Sequence, residues 1–283
     1  MVKQSGNQQK SVKNKTDLPQ NKTSYLKVRR KILTYYLKNG RELPWRKTTN
    51  PYHIMVSEFM LQQTQVSRVI EYYTKFIKRL PTIEALAKVK SSVLLKLWSG
   101  LGYNSRALRL RTAAQEIIRK HDGKFPQVAA ALRELPGIGE YTSAAILAFA
   151  FNKAVPVIDI NIRRVLLSEL QMDNSVSNEE LKLIAKRMIP QGKSAVWHNA
   201  LMDYGASLAP AIKKLYPPLT KRSSFKGSKR EARGYILRIL LKEKEIREHD
   251  LLRMISHRGK NEILTQLEAE NFIIVKKGIV RLK

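Results

Sequence analysis

The residues of this chain whose types and spacing could do chemistry are a glycine turn and two carboxylates. Leu135-Pro136-Gly137-Ile138-Gly139-Glu140-Tyr141 lies between two apolar-periodic stretches, and Val157-Ile158-Asp159-Ile160-Asn161 follows about twenty residues later. Ala129–Leu135 and Glu140–Phe151 read as helices, so Pro136 to Gly139 must turn tightly between them. Glycine tolerates positive φ there, and lacking a side chain it lets backbone N–H groups meet an oxyanion at the start of the second helix. Such a nest holds phosphate without reading base sequence. That layout would grip a DNA phosphate while an acid faces the neighbouring sugar. Taken alone, Pro-Gly-Ile-Gly reads equally well as a helix end followed by a turn.

The second carboxylate is Glu58, in Ser57-Glu58-Phe59-Met60-Leu61-Gln62-Gln63-Thr64-Gln65-Val66. An acid inside an apolar helix is desolvated, which raises its pKa and lets it stay protonated as a general acid at neutral pH. Asp159 is flanked by Val157, Ile158 and Ile160 and could cap the helix opening at Asn161. Singly, Glu58 reads as a partly exposed salt bridge and Asp159 as a simple N-cap; beside a phosphate hairpin, the pair reads as a site. One acid to protonate a leaving base and one carboxylate to stabilise an oxocarbenium-like sugar suit cleavage of an N-glycosidic bond. A base inside a duplex must first be rotated out, and something must fill the gap. Gln63, on a turn, and Tyr103, in Gly100-Leu101-Gly102-Tyr103-Asn104-Ser105-Arg106, suit that task, with a core tyrosine as the other reading of Tyr103.

Composition supports a polyanionic partner. The chain carries 53 Lys and Arg against 23 Asp and Glu, a formal net charge of +30. Nucleic acid fits better than membrane, because no basic amphipathic helix or apolar span appears. There is no cysteine, which excludes disulfides, thiolate nucleophiles, Cys-ligated zinc and clusters held by cysteines. His53, His121, His198, His249 and His257 lack metal-ligand spacing, so no bound metal is expected.

The elements that must position these groups follow from periodicity. Met1 to Ser24 is polar and aperiodic, with neither signal peptide nor packed structure expected. Tyr25 to about Leu208 is a succession of helices: Tyr25–Asn39, Tyr52–Leu61, Val66–Leu80, Thr82–Ala87, Ser91–Leu97, Ser105–His121, Ala129–Leu135, Glu140–Phe151, Asn161–Leu170, Asn178–Met188 and Ser194–Leu208. A Pro- and Lys-containing linker, Pro210 to Lys229, leads to a separate module over Arg230–Lys283. There the spacing predicts helices Arg230–Lys242, Arg247–Ile255 and Asn261–Glu270, then a ribbon from Phe272 to Leu282 turning at Lys276-Lys277-Gly278. Three helices and a ribbon describe a winged helix–turn–helix, a DNA or protein docking module. Arg258, Lys260, Lys276 and Lys277 favour DNA.

Leu43-Pro44-Trp45-Arg46, Ser57 through Val66, Gly100 through Tyr103, Leu135 through Ala144 and Asp159-x-Asn161 resemble, in order and spacing, the adenine DNA glycosylases of the MutY family, within the helix–hairpin–helix glycosylase superfamily. The resemblance runs from about Tyr25 to Leu208. It implies that Glu58 protonates N7 of adenine and that Asp159 stabilises the cationic sugar, electrostatically or through a transient bond. It implies that Tyr141 and Asn161 orient Asp159 and the sugar, and that Trp45 and Arg46 line the adenine pocket. Leu61, Gln63, Thr64 and Tyr103 would enter the base stack, and Gly137, Ile138 and Gly139 would hold phosphate, with room for a monovalent cation at the hairpin. Related endonuclease III enzymes have a lysine where Tyr141 stands; tyrosine cannot form their Schiff base, which points to hydrolysis without strong lyase activity.

The chain departs from the family at three places. The family's Cys-x6-Cys-x2-Cys-x5-Cys pattern, counted from Gly205-Ala206, falls on Ala209, Tyr216, Leu219 and Phe225. The expectation is a lost iron–sulfur cluster replaced by a small apolar cluster, with Lys213, Lys214 and Lys221 left for phosphate. The family's Nudix-like C-terminal domain, which senses 8-oxoguanine, gives way to the winged-helix segment. Isoleucine stands at position 160, where the family has glycine, and should crowd that turn.

The expected protein is therefore an all-α, two-lobed, monomeric, DNA-associated cytoplasmic glycosylase with a winged-helix module and no cofactor. Its expected substrate is double-stranded DNA with adenine opposite 8-oxoguanine or guanine. A thymine glycosylase acting on G:T, and a non-catalytic binder of distorted DNA, are the alternatives.

Overall fold

The structure, a computed structural model, describes residues 22–218 and 224–283. The expected polar arm lies outside the described residues up to position 21. Its last three residues instead open the first helix, α1 (Lys22–Asn39). Tyr25, Val28 and Ile32 all bury in one core, and helical hydrogen bonding extends a turn beyond the first buried residue.

The helices sort into two lobes with separate cores. The first contains α2 (Pro51–Leu61), α3 (Val66–Arg79), α4 (Ile83–Lys88), α5 (Ser91–Trp98), α6 (Ser105–His121), α7 (Ala129–Arg133) and α8 (Glu140–Ala150). The second contains α1 with α9 (Ile160–Glu169), α10 (Asn178–Arg187), α11 (Ser194–Ser207) and a short α12 (Pro210–Leu215). α12 falls inside the expected linker, where Pro at its first position starts a helix without losing a hydrogen bond. Apart from the start of α1, periodicity places the long helices within a residue or two of their observed ends. A small cluster of Ala144, Ala145, Ala148 and Val157 joins the lobes: alanine lets α8 approach its neighbours closely, and the chain crosses beside it.

The C-terminal segment holds α13 (Lys229–Glu243), β1 (Glu245–Arg247), α14 (Glu248–Arg253), α15 (Lys260–Ala269), β2 (Ile273–Lys276) and β3 (Ile279–Leu282). The ribbon turns at Lys277 and Gly278, with φ of 49° and 70°, and pairs Lys276 with Ile279. Two consecutive positive φ values make the tight hairpin turn that matches strand twist. A third strand, β1, is not expected from its three residues; it pairs antiparallel to β3, giving the sheet order β1-β3-β2. The segment does not pack alone. Ile236, Leu237 and Leu240 of α13 belong to the same continuous core as Leu94, Leu95 and Trp98 of α5.

The exposed face of α15 carries Asn261, Glu262, Thr265 and Glu268, which is a poor face for a phosphate-lined groove. The expected basic character lies around it instead: Arg258, Lys276 and Lys277 are exposed, while Lys260 donates to the Leu252 carbonyl at 2.8 Å.

Candidate active site

α2 is buried on almost every side from Tyr52 to Met60. Its start is fixed by Asn50, whose side chain accepts from the Tyr52 N–H at 2.9 Å, with Pro51 at the first helical position. Glu58 is the one carboxylate of that buried run, 5% exposed. It faces a cavity of about 130 Å³ whose wall includes Leu43, Trp45, Arg46, Glu58, Leu61 and Tyr141 from the first-lobe side and Asn199 and Met202 from α11. Cavities of roughly this size accept a small aromatic ligand.

Among the described residues no cation pairs with Glu58, which goes against the salt-bridge reading; a hydrogen bond from the Tyr141 hydroxyl meets it instead. Burial pushes the Glu58 carboxyl up to about 8, the negative charge of Asp159 pushes the same way, and the tyrosine hydrogen bond opposes both. At neutral pH this group holds its proton. Tyr141 is likewise driven well above the ordinary phenol range, by burial first and then by the charges of Glu58 and Asp159. Tyr141 therefore stays a donor. Its hydroxyl bonds to Glu58, whereas the expectation placed it on Asp159.

Asp159 stands beside the cavity rather than in its wall, and it is a true N-cap: Oδ1 accepts from the Ile162 N–H at 2.7 Å. Asn161 donates to Oδ2 at 3.2 Å, as expected of an orienting residue. Burial raises the Asp159 carboxyl above the usual carboxylate range, and these donors and the nearby Arg164 offset the rise only in part. The N-cap and site readings are compatible, because capping aims the carboxylate. Ile160 is the first residue of α9 and has no positive φ, so the backbone there does not require the family's glycine.

Arg46 has a more constrained place than a pocket-lining residue. Its guanidinium makes a two-pronged pair with Asp203 of α11, both distances 2.8 Å, and Asp203 also takes the backbone N–H of Arg41 at 2.8 Å and its Nε at 2.7 Å. Burial pushes the Asp203 carboxyl up, but the summed bonds from Arg46 and Arg41 hold it below the usual range. This pair fastens the Pro44–Arg46 turn to the second lobe. Trp45, buried, packs edge-to-face on Tyr73 with ring centroids 5.4 Å apart.

Gln63 and Tyr103 lie on separate turns outside the cavity, both in the left-handed region at φ 59° and 48°, a conformation that non-glycine residues adopt at a cost. Gln63 is exposed; Tyr103 and Thr64 are half-buried. One residue joins the two turns. Buried Arg106 donates to the carbonyls of Phe59 at 2.7 Å, Met60 at 3.0 Å and Gln62 at 2.6 Å, and on the other side to Leu101 at 3.2 Å and Gly102 at 2.9 Å. Thr64 Oγ1 completes the set at 3.2 Å. Burial lowers the guanidinium to about 10, so it keeps its charge and satisfies the orphan carbonyls ending α2.

The hairpin has one glycine of each kind. Gly137 has φ 82°, and a Cβ there would lie 2.8 Å from Phe59 and 3.1 Å from Arg109, so the turn and its packing both require glycine. Gly139 is extended, at φ −89°, and a Cβ there would meet nothing within 4 Å. The expectation of positive φ holds only at the first. Ile138 buries between them. Glu140, the acid nearest the start of α8, is turned to an ion pair with Lys182 of α10.

The expected apolar replacement for a metal cluster does not form. Tyr216 is buried, but Ala209 is exposed, Phe225 is 57% exposed, and Leu219 lies outside the described residues. None of the four side chains supplies a thiolate or imidazole, so this loop does not fit an iron–sulfur cluster. Polar contacts hold it: Tyr216 donates to the Met172 carbonyl at 3.1 Å and accepts through its own carbonyl from Arg164 at 2.9 Å. Lys213 is not free for phosphate, since it donates to the Ala206 carbonyl at 2.8 Å. Lys221 lies outside the described residues.

Four functional positions escape a reading by motif. Asp203 is a lone charge in an apolar helical stretch, the signal that singled out Glu58, whereas Arg106 is one of three arginines within six residues and carries no such signal. His198 is buried: its Nε2 accepts from the Val157 N–H at 3.1 Å and its Nδ1 donates to the Ser194 carbonyl at 2.8 Å, so it anchors the segment leading to Asp159. Burial lowers it to about 4, leaving it neutral. Gly205 permits contact between lobe elements, as a Cβ there would stand 2.8 Å from Asn161; nothing local in the sequence signals that.

The chain matches the model of the HhH-GPD superfamily base excision DNA repair proteins over residues 56–191. It is 42% identical over 178 residues to an adenine DNA glycosylase of Buchnera aphidicola subsp. Baizongia pistaciae, covering 62% of this chain and 51% of that protein. It is 33% identical over 235 residues to an adenine DNA glycosylase of Mycobacterium tuberculosis, covering 74% of this chain and 77% of that protein. The chain thus spans about half the length of curated relatives such as the Buchnera protein. Among solved structures, a thermostable thymine-DNA glycosylase superposes with a TM-score of 0.61 at 29% identity, over 68% of this chain and 95% of that one.

Proposed function

Because the chain belongs to the adenine DNA glycosylase family of the HhH-GPD superfamily, we propose that it hydrolyses the N-glycosidic bond of adenine mispaired in double-stranded DNA. One observation carries the reading: two carboxyl groups share one site, yet their surroundings divide the work. Burial acts on both. Asp159 additionally takes N–H donors from Ile162 and Asn161 and sits at a helix N-terminus, where negative charge is favoured. Glu58 has only a tyrosine hydroxyl. The proton shared by the pair therefore resides on Glu58 and the charge on Asp159.

In this reading an extruded adenine enters the cavity. The Glu58 proton passes to a ring nitrogen as the bond to C1′ breaks, and the bonding electrons leave with the base. Asp159 faces the resulting oxocarbenium-like sugar. Water adds to C1′, and its proton goes to the carboxylate that Glu58 has become. Tyr141 offers no amine for a Schiff base, so the strand remains intact. The hairpin supplies phosphate contacts through the unpaired N–H groups of the first turn of α8, with Gly139 leaving room for close approach. Gln63 and Tyr103 fill the vacated space in the stack. The expected opposite base is guanine or 8-oxoguanine.

The test is single-turnover incision on duplexes carrying one A or T opposite G, 8-oxoguanine or C, with alkali to reveal abasic sites. Adenine release opposite G and 8-oxoguanine, needing alkali for cleavage, is the expected result. The likeness to a thymine-DNA glycosylase favours a second reading, thymine removal opposite G, and the T-containing duplexes decide it.

A further inference from the structure

We infer that Arg230, from the C-terminal module, is a positioning residue for Tyr103, so that this module belongs to the device that inserts a ring into the base stack. The inference rests on the glycosylase reading above, and it begins with what the Tyr103 loop lacks. The loop from Gly100 to Asn104 contains three positive-φ residues, Gly100, Gly102 and Tyr103, at 109°, 73° and 48°. Arg106 anchors its backbone from below, and every contact Arg106 makes there by hydrogen bonding is to main-chain oxygen or to Thr64. The tyrosine ring is another matter. A ring at a loop tip keeps rotamer freedom, and a group that must enter a stack in one orientation gains from being ordered beforehand.

Arg230 supplies that order from outside the loop. Its Nη1 donates to the Tyr103 hydroxyl, and its guanidinium carbon lies 5.1 Å from the ring centroid, with that of Arg106 at 5.6 Å. Two guanidinium groups thus bear on one ring. The Arg230 backbone is fixed in turn. It is the second residue of α13, whose N-cap Ser228 accepts from the Glu231 N–H and donates to the Phe225 carbonyl at 2.6 Å. α13 buries Ile236, Leu237 and Leu240 in the core that also holds Leu94, Leu95 and Trp98 of α5, the helix that runs directly into the Tyr103 loop. Ring, loop and module are therefore one packed unit. A guanidinium serving only as a phosphate contact would not be directed at a ring of the same chain.

The experiment uses the full chain and four variants: R230A, R230K, Y103A and the double variant R230A/Y103A. Two quantities are measured on each. One is the fluorescence rise of 2-aminopurine at the target position opposite guanine, which reports extrusion; the other is single-turnover adenine release at several salt concentrations. R230A is expected to lower extrusion and release about three- to tenfold, the scale of a cation–π contact, and to have no further effect once Tyr103 is alanine. The slope of binding against salt should stay unchanged, and R230K should recover part of the loss by restoring the charge. Effects of R230A that multiply with Y103A, or a salt slope smaller by about one, would overturn the inference by showing that Arg230 meets phosphate itself. So would a rise in extrusion in R230A, which would mean that the ring is being held back, or wild-type behaviour in that variant. Absence of adenine release by the unaltered protein is distinguishable from these outcomes, and it would overturn the glycosylase reading together with the inference built on it.

Discussion

The cavity between the lobes and the C-terminal module are both rich in charged side chains, but they treat charge in opposite ways. At the cavity the charges are withdrawn from water and each has a dedicated set of partners: Arg46 with Asp203, Glu58 with Tyr141, Arg106 with five or more oxygens. In the module the pairs stand in solvent, as with Lys229 and Glu262, which are both more than half exposed. Burying a charge costs several kcal/mol even when it is paired, whereas an exposed pair is worth about 0–1 kcal/mol. The first region therefore keeps its charges for chemistry and geometry. The second leaves most of its charges at the surface, with Arg230 at the Tyr103 ring and Arg233 paired to Glu270 among those in specific contacts.

The largest effect that could break this contrast is catalytic. Asp159→Asn and Glu58→Gln are each expected to lower the single-turnover rate about a hundredfold to ten-thousandfold while leaving duplex binding intact. Near-native rate in either variant would remove that residue from the mechanism.

Next comes the buried pair. Asp203→Asn leaves Arg46 and Arg41 without their carboxylate, and it should lower the unfolding free energy by about 3–5 kcal/mol in urea titrations. A loss under about 1 kcal/mol would place this pair with the surface ones.

The proton on Glu58 gives a signed test. Its folded pKa of about 8 lies above the ordinary 4.5, so between these values the folded protein holds a proton that the unfolded chain has released. Stability of the native chain should fall as pH rises from about 5 to about 8 and level off above, by up to a few kcal/mol, relative to Glu58→Gln. Single-turnover rate should fall over the upper part of the same window as the acid form is lost. Parallel stability curves for the two proteins would show that Glu58 is not held protonated.

Smaller effects belong to the module. Lys276→Ala with Lys277→Ala should reduce the slope of log affinity against log salt by about two, with little change in the ratio of rates opposite 8-oxoguanine and guanine. A selective loss of the 8-oxoguanine rate would assign lesion reading to the wing. Smallest of all, Lys229→Ala should shift stability by less than about 1 kcal/mol. Because α13 shares its core with α5, point substitutions separate these roles more cleanly than deletion of the segment, which would bare an apolar face.

Much of this was legible in the sequence, for a physical reason. Helices announce themselves by a period set by local backbone geometry, so α2, α6 and α8 are found close to their true limits. The hairpin and the Glu58 and Asp159 motifs are short-range too: a turn needs its glycine, a cap its aspartate, and a lone acid in an apolar helix stands out. What lies between segments is not written locally. No pattern within residues 40 to 50 says that Arg46 will find Asp203 some 157 positions away, nor that Gly205 must be small because Asn161 packs against it. The same limit explains the error at Ala209, Tyr216, Leu219 and Phe225. Apolar side chains at the right spacing suggest a cluster, but whether they meet depends on the path of the loop, and Phe225 ends in solvent.

The sequence by itself determined the helical character, the large positive charge, the absence of thiolate ligands and the candidate acids, because each depends on composition or on neighbours within a turn of chain. Only the tertiary structure showed what surrounds each acid, since that depends on burial and, for Glu58, on a tyrosine from another helix. It alone placed Arg106 across both turns and Arg230 against Tyr103, because contacts between distant segments are fixed by how whole helices pack, and no residue's own neighbourhood encodes them.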